Sequence, residues 1–420
     1  MSAPALTYAA RYVFPVDGPP IADGAITLSE GRIRWVGQRD GRVIDRDLGN
    51  AAITPGFVNA HTHLELSRLD PNPDASGAED EIDWLKRVIQ QRRDQSPEAL
   101  EDVARANAQA AVAAGTTSIA DISTGGLSWP AIADAPLRGV VFAEILGLKR
   151  SRGLVSSQAA WDFIASIDAM QQVRANCRLG VSPHAPYSTS GWLYQRAAET
   201  GSPLSTHLAE MPEERELLTT RGGRLREFLE DLGAWDEDFE PIGPSPADYV
   251  RKGELRNSDW LIAHGNYLEP SEFWQFLPEA APKGQRVAIA YCPRTHARFG
   301  HAPHPYLEIL RRGGVVCIGT DSLASTETLS VLDEIRFLRR TDPQADGRLL
   351  LTMATLFGAW AMRADSVTGS LKPGKSADLA VVALPDREAD DPHDLLLNSD
   401  APVVGAAFEG RFHWRPSSSS

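Results

Sequence analysis

The sequence predicts an α/β protein built on a (β/α)8 barrel, with a small β-sandwich domain formed from both ends of the chain. In the middle of the chain, eight short apolar runs alternate with longer segments of helical periodicity, which is typical of repeated βα units. At both ends, short strand-like pieces are separated by Gly, Pro and Asp. We therefore expect the sandwich in residues 1–54 and 366–420 and the barrel in residues 55–365.

The sandwich is predicted because the two ends of the chain have the same pattern of short strand-like pieces. The amino-terminal pieces are YVFPV, GAITLS, GRIRWVG and GRVIDRDLG, and they read as short antiparallel strands. The same pattern occurs near the other end in GSLKPGKSADLAVVAL and VVGAAFEGRFHW. One small β-domain made from both termini accounts for this arrangement.

The barrel is predicted from the eight apolar runs. They are FVNAHTH, TTSIADI, GVVFAEI, RLGVSPH, PLSTHLAE, WLIAHG, VAIAYCP and VVCIGTD. The segments between them include PEALEDVARANAQAAVAAG and TLSVLDEIRFLRR, which have the helical period. In a TIM-like barrel the carboxyl ends of all eight strands meet at one rim, and the chemistry is located there.

Composition limits the classes of partner. The chain has 420 residues, 42% of them hydrophobic, and a formal net charge of -14 without a basic cluster, so nucleic acid is not an expected partner. The first residues lack a secretory signal and no apolar stretch could cross a bilayer, so we expect a cytoplasmic protein without a membrane partner. The three cysteines lack the spacing of a disulfide framework and should be reduced and mostly buried. A homo-oligomer is left open.

Residues able to bind a metal stand at the ends of the apolar runs. In a strand, residues two apart point to the same face, so His61 and His63 can both face the barrel mouth. With His207 and Asp321 they would form a nitrogen and oxygen site for one divalent metal. Zn²⁺ suits this set best, with Fe²⁺ and Mn²⁺ as alternatives. Any one of these residues alone would be read as an ordinary surface residue.

Two carboxylates near these histidines receive predicted roles. Glu210 follows His207 by three residues in THLAE and can reach a metal-activated water without binding the metal, as a proton shuttle would. The alternative is a capping or surface carboxylate at the start of the helix EMPEERELL. Glu65 in HTHLE points to the same side as His63 and is predicted to shape the substrate pocket rather than to bind metal.

Taken in order, PGFVNAHTH, SPHAPYS, THLAE, AHG and GTDS resemble the motifs of the metal-dependent amidohydrolase superfamily over nearly the whole chain. The resemblance implies that the metal is bound by His61, His63, His207 and Asp321. It also implies that Glu210 shuttles protons, that Asp321 accepts the water proton, and that His264 hydrogen-bonds the nucleophilic water or the developing oxyanion. The fourth strand ends in VSPHAPYS without the bridging lysine of two-metal members, which favours a single metal.

The HxxE motif after the fifth strand resembles the single-metal branch that deaminates cytosine, guanine and adenosine-type nucleosides. Within that branch, HTHLELS, IDWLKRVIQQRR, HAPYS and HLAEMPEERELL resemble the aminodeoxyfutalosine deaminases. The resemblance implies hydrolysis of 6-amino-6-deoxyfutalosine to futalosine and ammonia in menaquinone biosynthesis, with attack of the activated water on C6. His184 would contact the ribose or its 5' substituent, and Tyr187 of the same motif is a further predicted substrate contact.

The implied substrate carries a benzoate, for which arginine is the best bidentate partner. Arg150 and Arg152 follow the third strand on the predicted rim, and Arg215 and Arg294 are also near it. Each of them could instead be a solvated surface arginine. One departure from the pattern is CPRTHARFG, which has His296 where many relatives of this superfamily carry an asparagine.

Several functions remain as alternatives. They are a deaminase of S-adenosylhomocysteine, methylthioadenosine or adenosine, a guanine or cytosine deaminase, another cyclic amide hydrolase, and a binding protein without catalysis. The last would be expected to lack a metal ligand or Glu210, and none of these is missing. The segment 234–254 is rich in Pro, Gly and Asp and is predicted to be a long loop at the active-site rim.

Overall fold

The computed structural model describes residues 4–69, 80–169, 176–281 and 284–414. Within these residues the strands form two sheets. In chain order the strands are β1 (Leu6–Val13), β2 (Ile21–Ser29), β3 (Arg32–Gln38), β4 (Arg46–Asp47), β5 (Ala51–Pro55), β6 (Phe57–Thr62), β7 (Thr116–Ser123), β8 (Arg138–Ile145), β9 (Cys177–Pro183), β10 (Leu204–Leu208), β11 (Trp260–His264), β12 (Val287–Tyr291), β13 (Val315–Ile318), β14 (Leu379–Ala383), β15 (Val403–Phe408) and β16 (Arg411–Trp414).

The α-helices of the described residues lie mostly between strands β6 and β13 along the chain. In chain order they are α1 (Glu81–Arg93), α2 (Pro97–Ala113), α3 (Trp129–Ala133), α4 (Arg150–Ala169), α5 (Gly191–Glu199), α6 (Pro212–Thr220), α7 (Arg224–Asp231), α8 (Asp248–Arg251), α9 (Pro293–Arg298), α10 (Tyr306–Arg311), α11 (Val331–Thr341), α12 (Gly347–Thr352), α13 (Gly358–Ala361) and α14 (Pro392–Leu397). Two 3-10 helices and one π-helical turn complete the set: Gly253–Asn257, Pro270–Phe276 and Met353–Phe357. No helix in the described ranges is long and apolar enough to cross a membrane.

Strands β6 to β13 form a barrel of eight parallel strands in chain order. A bridge between Thr62 and Asp321 joins the last strand end to the first and nearly closes the ring. Each of the eight apolar runs in the sequence is one of these strands. Parallel strands are covered on both faces, which explains why they read as continuous apolar runs and not as alternating ones. The predicted fold is therefore confirmed.

The second sheet has the order β16-β15-β14-β5-β1-β2-β3, with β4 pairing to β1, so it does combine both ends of the chain. β5 and β14 are antiparallel neighbours, with Ile53 opposite Val381, and this pairing joins the two ends. The expectation of antiparallel strands was wrong for GRVIDRDLG, because β4 lies in that piece and pairs with β1 in parallel, with Tyr8 opposite Arg46. β5 is also parallel to β1, with Tyr12 opposite Ala52. The hairpin β2-β3 occupies one edge of β1, and the chain then returns along the other edge in the same direction.

This mixed sheet packs against the amino-terminal ends of the barrel strands. Arg138 begins β8, and its Nη2 lies 3.2 Å from the Oδ2 of the buried Asp378, while its guanidinium also covers the ring of Phe408. The amide of Gly56, just before β6, donates to the carbonyl of Asp378. The opposite, carboxyl ends of the strands are thus left for a functional site. The three cysteines are buried and form no disulfide, as predicted.

The segment 234–254 differs from the predicted rim loop. It contains α8, and Tyr249 of that helix packs against Tyr194 of α5 with ring centroids 4.9 Å apart. Ser245 hydrogen-bonds Glu272, just beyond the carboxyl end of β11. Farther along, Lys252 lines a cleft with Pro203, which precedes the amino end of β10. The segment therefore runs down the barrel wall, because its apolar residues pack on α5, and only its first half is near the rim.

Candidate metal and catalytic site

The strand ends bring the four predicted metal ligands together. The Nε2 atoms of His63 and His207 are 3.1 Å apart, and those of His61 and His63 lie 3.9 Å and 3.8 Å from Oδ1 of Asp321. Nitrogen and oxygen ligands at zinc distances of about 2.0–2.2 Å in a tetrahedron are separated by roughly 3.3 Å, close to these values. The residues present therefore fit one divalent metal.

The donor atoms are also oriented for a metal. Nδ1 of His207 donates a hydrogen bond to the carbonyl of His184 at 2.9 Å, so Nε2 of the same ring can face the other ligands. The hydroxyl of Ser325 donates to Oδ2 of Asp321 at 2.7 Å, which leaves Oδ1. The Nε2 of His61 is buried and has no hydrogen-bond partner in the protein. Buried polar atoms are nearly always satisfied, and coordination of a metal would satisfy this nitrogen.

Burial sets the charge state of these side chains. Burial lowers the pKa of His61 and His63 well below the usual range, and that of His207 to about 4, with neighbouring imidazoles adding to the effect. Neutral imidazoles present the lone pair that a metal requires. Burial raises the pKa of Asp321 to about 7. A cation in the site would instead favour its carboxylate form, because opposite charges attract more strongly in a buried position.

The predicted catalytic pair lies beside this donor set. His264 Nε2 is 3.2 Å from Oε1 of Glu210, and both side chains are buried. Among the described residues, two groups of three could hold an ion, and His264 belongs to one of them: His61, His63 and Asp321 or His61, His207 and His264. His264 can therefore contact either the metal or a molecule bound next to it.

The backbone at the strand ends is strained. Ala209, His264 and Asp321 have φ values of 50°, 66° and 58°, in the left-handed region that residues with a Cβ rarely adopt. Such conformations cost on the order of 1–3 kcal/mol each and persist where the surrounding structure enforces them, which is typical of functional sites. Here they occur at the ends of β10, β11 and β13, and they turn the chain so that the polar side chains face one centre.

The structure brings three of the predicted substrate contacts close to the metal ligands. The rings of His184 and His207 are 4.9 Å apart, and Tyr187 lies edge-on to His184 at 5.7 Å. Glu65 is buried next to the site, but Ser123 and Arg92 already bind its carboxyl group, with Arg92 Nη2 at 3.0 Å from Oε2. Burial raises the pKa of Glu65 to about 7. These positions are compatible with the predicted substrate contacts.

The predicted arginines are placed differently from one another. Arg150 and Arg152 are exposed. The guanidinium of Arg150 lies over the ring of Trp192, and Arg152 donates to the carbonyl of Leu232, just after α7. Arg294 instead turns inward, and its Nε donates to the fully buried Glu334 at 2.7 Å while Nη2 donates to the carbonyl of Thr328. These internal bonds argue against its predicted role as a substrate ligand, because its donors are used within the protein.

Arg215 lies at a separate cavity on the rim. The cavity has a volume of about 370 Å³ and is also lined by Met211, Tyr267 and Pro303. Arg215 Nη2 pairs with Oε2 of Glu272 at 3.1 Å on one side. Nε2 of His296 donates to the carbonyl of Ala302, 2.9 Å away, and among the described residues His296 belongs to neither group that could hold a metal.

Two charged residues of α1, Glu81 and Arg92, lie at the site and were not predicted from the sequence. Glu81 has one carboxyl oxygen, Oε2, 3.4 Å from Nε2 of His301, while Oε1 is buried without a hydrogen-bond partner. Its carboxyl group also lies against Glu210 and contributes, after burial, to raising the pKa of Glu210. Arg92 is the partner of Glu65. The sequence does contain a pattern that predicts this placement. Glu81, Trp84, Val88 and Arg92 follow helical spacing, so both charged residues lie on the buried face of α1.

A parallel barrel with this donor set at the carboxyl ends of its strands indicates a metal-dependent enzyme. The chain belongs to the amidohydrolase family, whose family model matches residues 52–411. The predicted family is thereby confirmed.

Named relatives share most of the chain. The 5-methylthioadenosine/S-adenosylhomocysteine deaminase of Nitratidesulfovibrio vulgaris Miyazaki F is 28% identical over 386 residues, covering 87% of this chain and 80% of that protein. The aminodeoxyfutalosine deaminase of Deinococcus radiodurans is 27% identical over 336 residues, covering 73% and 72%.

Solved structures show the same fold. The aminofutalosine deaminase of Helicobacter pylori in complex with methylthio-coformycin superposes with a TM-score of 0.80 at 21% identity, covering 97% of this chain and 99% of that one. An adenosine deaminase of Xanthomonas campestris with bound zinc gives a TM-score of 0.78 at 21% identity, covering 98% and 93%. At this identity the likeness concerns the fold alone.

Proposed function

We propose that the protein is a hydrolytic deaminase of an adenosine-type nucleoside that uses one divalent metal, Zn²⁺ first among the candidates. The observation that carries this proposal is the contact of Glu210 with His264 directly beside the metal donor set. The similar methylthioadenosine/S-adenosylhomocysteine and aminodeoxyfutalosine deaminases support the substrate class. A small-molecule nucleoside is thus the proposed partner.

The metal would be held by His61, His63, His207 and Asp321. A divalent ion bound there supplies Lewis acidity, which makes water a nucleophile near neutral pH. Asp321 keeps Oδ1 directed at the same space and is the first acceptor of a water proton. The neutral state of the three imidazoles leaves the proton chemistry to the carboxyl groups.

Glu210 would move the protons of the reaction. As the water oxygen bonds to C6 of the purine, the first water proton passes to Asp321 and Glu210 gives its own proton to the adjacent ring nitrogen. Glu210 then takes the second proton from the new C6 hydroxyl group and gives it to the amino group, so the C=O bond forms, the C–N bond breaks and ammonia leaves. Return of the proton held by Asp321 to Glu210 restores the starting state. Burial and the nearby carboxyl groups of Glu81 and Asp321 raise the pKa of Glu210. A carboxyl group with a raised pKa transfers protons efficiently near neutral pH.

His264 would hold the oxygen that is added to C6. Its Nε2 lies 3.2 Å from the carboxyl group of Glu210, so the two side chains can contact one reacting centre from the same side. Burial and neighbouring imidazoles lower the pKa of His264 well below its usual range. A neutral imidazole with Nε2 protonated donates a hydrogen bond to a developing oxyanion in a water-poor site, where such a bond is strong.

The nucleoside has further candidate contacts. His184 and Tyr187 stand at the end of β9, beside His207. The buried carboxyl group of Glu81 lies next to Glu210 and is suited to a hydroxyl group of the substrate. These groups would orient the purine over the catalytic pair.

Within this class, 6-amino-6-deoxyfutalosine is the proposed substrate, and the reaction yields futalosine and ammonia. Its benzoate would require a cation at the rim, where Arg150, Arg152 and Arg215 are the candidates. S-adenosylhomocysteine, methylthioadenosine and adenosine form the second candidate class, supported by the relatives of that name.

The test is ammonia release by the zinc-loaded protein on a panel of substrates. The panel contains aminodeoxyfutalosine, S-adenosylhomocysteine, methylthioadenosine, adenosine, guanine and cytosine. We expect kcat/KM on the best nucleoside to exceed that on both free bases by about a hundredfold, equivalent to about 2.7 kcal/mol of transition-state binding. Preference for a free base, or no ammonia from any nucleoside, would overturn the proposal. Equal rates on carboxylated and uncharged nucleosides would overturn only the assignment of aminodeoxyfutalosine.

A further inference from the structure

The main chain of Glu210 is held on both sides by buried side chains. The amides of Glu210 and Ala209 donate to Oε1 and Oε2 of Glu214 at 2.8 Å and 3.0 Å. On the other side, Nδ2 of Asn266 donates to the carbonyl of Glu210 at 2.9 Å. Glu214 is completely buried and Asn266 is 5% exposed. The peptide groups that flank the proposed proton shuttle therefore have few positions available.

Ordinary helix capping does not account for the contacts of Glu214. Helix α6 begins at Pro212, so Glu214 is its third residue, and a glutamate there usually reaches back only to the residue before the helix, here Met211. Glu214 interacts with that amide too, but its two short hydrogen bonds go to Ala209 and Glu210, which lie outside the helix. They are directed at the segment that carries the shuttle.

The left-handed conformation of Ala209 makes this contact possible. Its φ of 50° turns two successive amides toward one point, which forms a small anion-binding concavity. Burial raises the pKa of Glu214 to about 8, and the amides of Glu210 and Ala209 act in the opposite direction. Burying a carboxyl group without partners would be costly, so the amides are what retains it there.

A second set of hydrogen bonds connects Glu210 and its neighbours to the end of β11, the strand that carries His264. Asn266 follows His264 by two residues, and the amide of Tyr267 donates to the carbonyl of Ala209 at 2.8 Å. The amide of Gly265 donates to Leu208 at 3.0 Å. Residues at the end of β11 are thus bonded to Leu208, the last residue of β10, and to the two residues that follow it, which fixes the distance between Glu210 and His264.

We propose that Glu214 is a positioning residue for the proton shuttle. Together with Asn266 it acts through the main chain of Ala209 and Glu210, and it aims the Glu210 side chain at His264 and at the reacting carbon. This inference rests on the proposed function of Glu210. The hydrogen bonds of Glu214 go to main-chain amides, and among the described residues Glu214 belongs to neither group that could hold a metal.

The first experiment measures the hydrogen bonds directly, without turnover. Glu214→Gln retains one acceptor oxygen and places an NH₂ group against the other amide. Glu216→Gln is the matched control, because Glu216 is an exposed residue of the same helix. In hydrogen exchange followed by mass spectrometry, the peptide spanning 207–212 should exchange about tenfold faster in Glu214→Gln and at the wild-type rate in the control. Unchanged exchange in Glu214→Gln would overturn the inference, whatever the role of Glu210.

The second experiment separates positioning from general damage. Glu214→Gln should lower kcat about 10- to 100-fold, with metal content retained and KM within about twofold, because substrate binding does not depend on the shuttle. In the Glu210→Gln background the same substitution should have no further effect on kcat, since the side chain that it positions is already inactive. Equal losses in both backgrounds would overturn the inference.

A third variant covers the case in which Glu214→Gln fails to fold. Asn266→Ala removes the donor to the Glu210 carbonyl and should give the same kcat loss, again absent in the Glu210→Gln background. A loss that persists in that background would count against positioning. Failure of the proposed function is recognised separately, because Glu210→Gln alone would then keep full kcat.

Discussion

The rings of His63 and His207 are nearly parallel, and their Nε2 atoms lie 3.1 Å apart. They belong to strand ends that are four strands apart in the barrel order, so the approach is a consequence of the closed ring. The Nδ1 of His207 is already engaged by a carbonyl, and burial keeps the pKa of both imidazoles low. Two neutral nitrogen atoms that face each other at this distance are readily explained by a shared cation.

Removal of the metal should abolish activity and reduce stability. A ligand that binds only the folded state at a hundred times its Kd adds about 2.7 kcal/mol to the free energy of unfolding. We therefore expect the purified protein to hold one metal per chain, to lose ammonia release and several degrees of Tm on chelation, and to recover both with Zn²⁺. His296→Asn, outside the donor set, should retain full metal content. Activity that survives chelation at substoichiometric metal would contradict the prediction.

Glu210→Gln should retain the fold and the metal but lose turnover. The amide has nearly the same shape but cannot carry a proton between water, ring nitrogen and leaving group. The expected decrease in kcat is about 10²- to 10⁴-fold, the usual contribution of general acid–base catalysis. Steady-state ammonia release and metal analysis on the same sample measure both quantities. Wild-type kcat in this variant would exclude Glu210 as the shuttle, and Glu216→Gln controls for the loss of a negative charge.

Gly319→Ala should disturb the metal site from behind. A Cβ on Gly319 would lie 2.8 Å from Cβ of His61 and 2.9 Å from Sγ of Cys292, so His61 must move. Overpacking of this kind costs about 1–3 kcal/mol. We expect a lower Tm and weaker metal binding, measured by thermal unfolding and by competition with a chelator. Gly18→Ala is the control, because its Cβ would meet no atom within 4 Å.

The order of residues along the chain was sufficient to predict the barrel and its central donor set. His61, His63, His207 and Asp321 each end an apolar run, and a parallel barrel collects such ends on one rim. The contribution of α1 was not predictable in this way. Glu81 and Arg92 reach the site from a helix, and their place depends on how that helix packs across the rim.

The direction in which long side chains point could also not be predicted from the sequence. Arg294 follows β12 and was expected to face the substrate, yet it pairs with Glu334, forty residues later in α11. An arginine has many rotamers, and the partner that it selects depends on which carboxylate is buried nearby. Arg150 and Arg152, in contrast, remain exposed at the surface.

Arg138→Ala should destabilise the protein without changing its chemistry. Arg138 is the partner of the buried Asp378 and lies at the amino-terminal end of β8, opposite the rim. Removal of one partner of a buried ion pair typically costs about 3–5 kcal/mol, because the other charge stays buried. Chemical unfolding should show this loss, while kcat at a temperature where the variant is folded should equal that of the wild type. Asp378→Asn combined with Arg138→Ala should cost less than the sum of the single changes.

Arg294→Met should give a loss of stability that depends on pH. Burial raises the pKa of Glu334 to about 7, and Arg294 acts in the opposite direction, so the variant should have a still higher value. An acid whose pKa is higher in the folded state binds more protons there, so its stability contribution falls as the pH rises from the unfolded pKa of about 4.5 through the folded pKa.

In the wild type, the decrease in the free energy of unfolding with rising pH ends near pH 7, and in Arg294→Met it extends to higher pH. Unfolding free energies measured at pH 5 and pH 8 should therefore differ more in the variant, with the greater loss at pH 8. Glu334→Gln in the same background should remove most of the difference, because no charge then remains to be buried. An equal loss at both pH values would mean that Glu334 is solvated once Arg294 is absent. Reduced affinity for carboxylated nucleosides, with stability unchanged, would instead restore Arg294 as a substrate ligand.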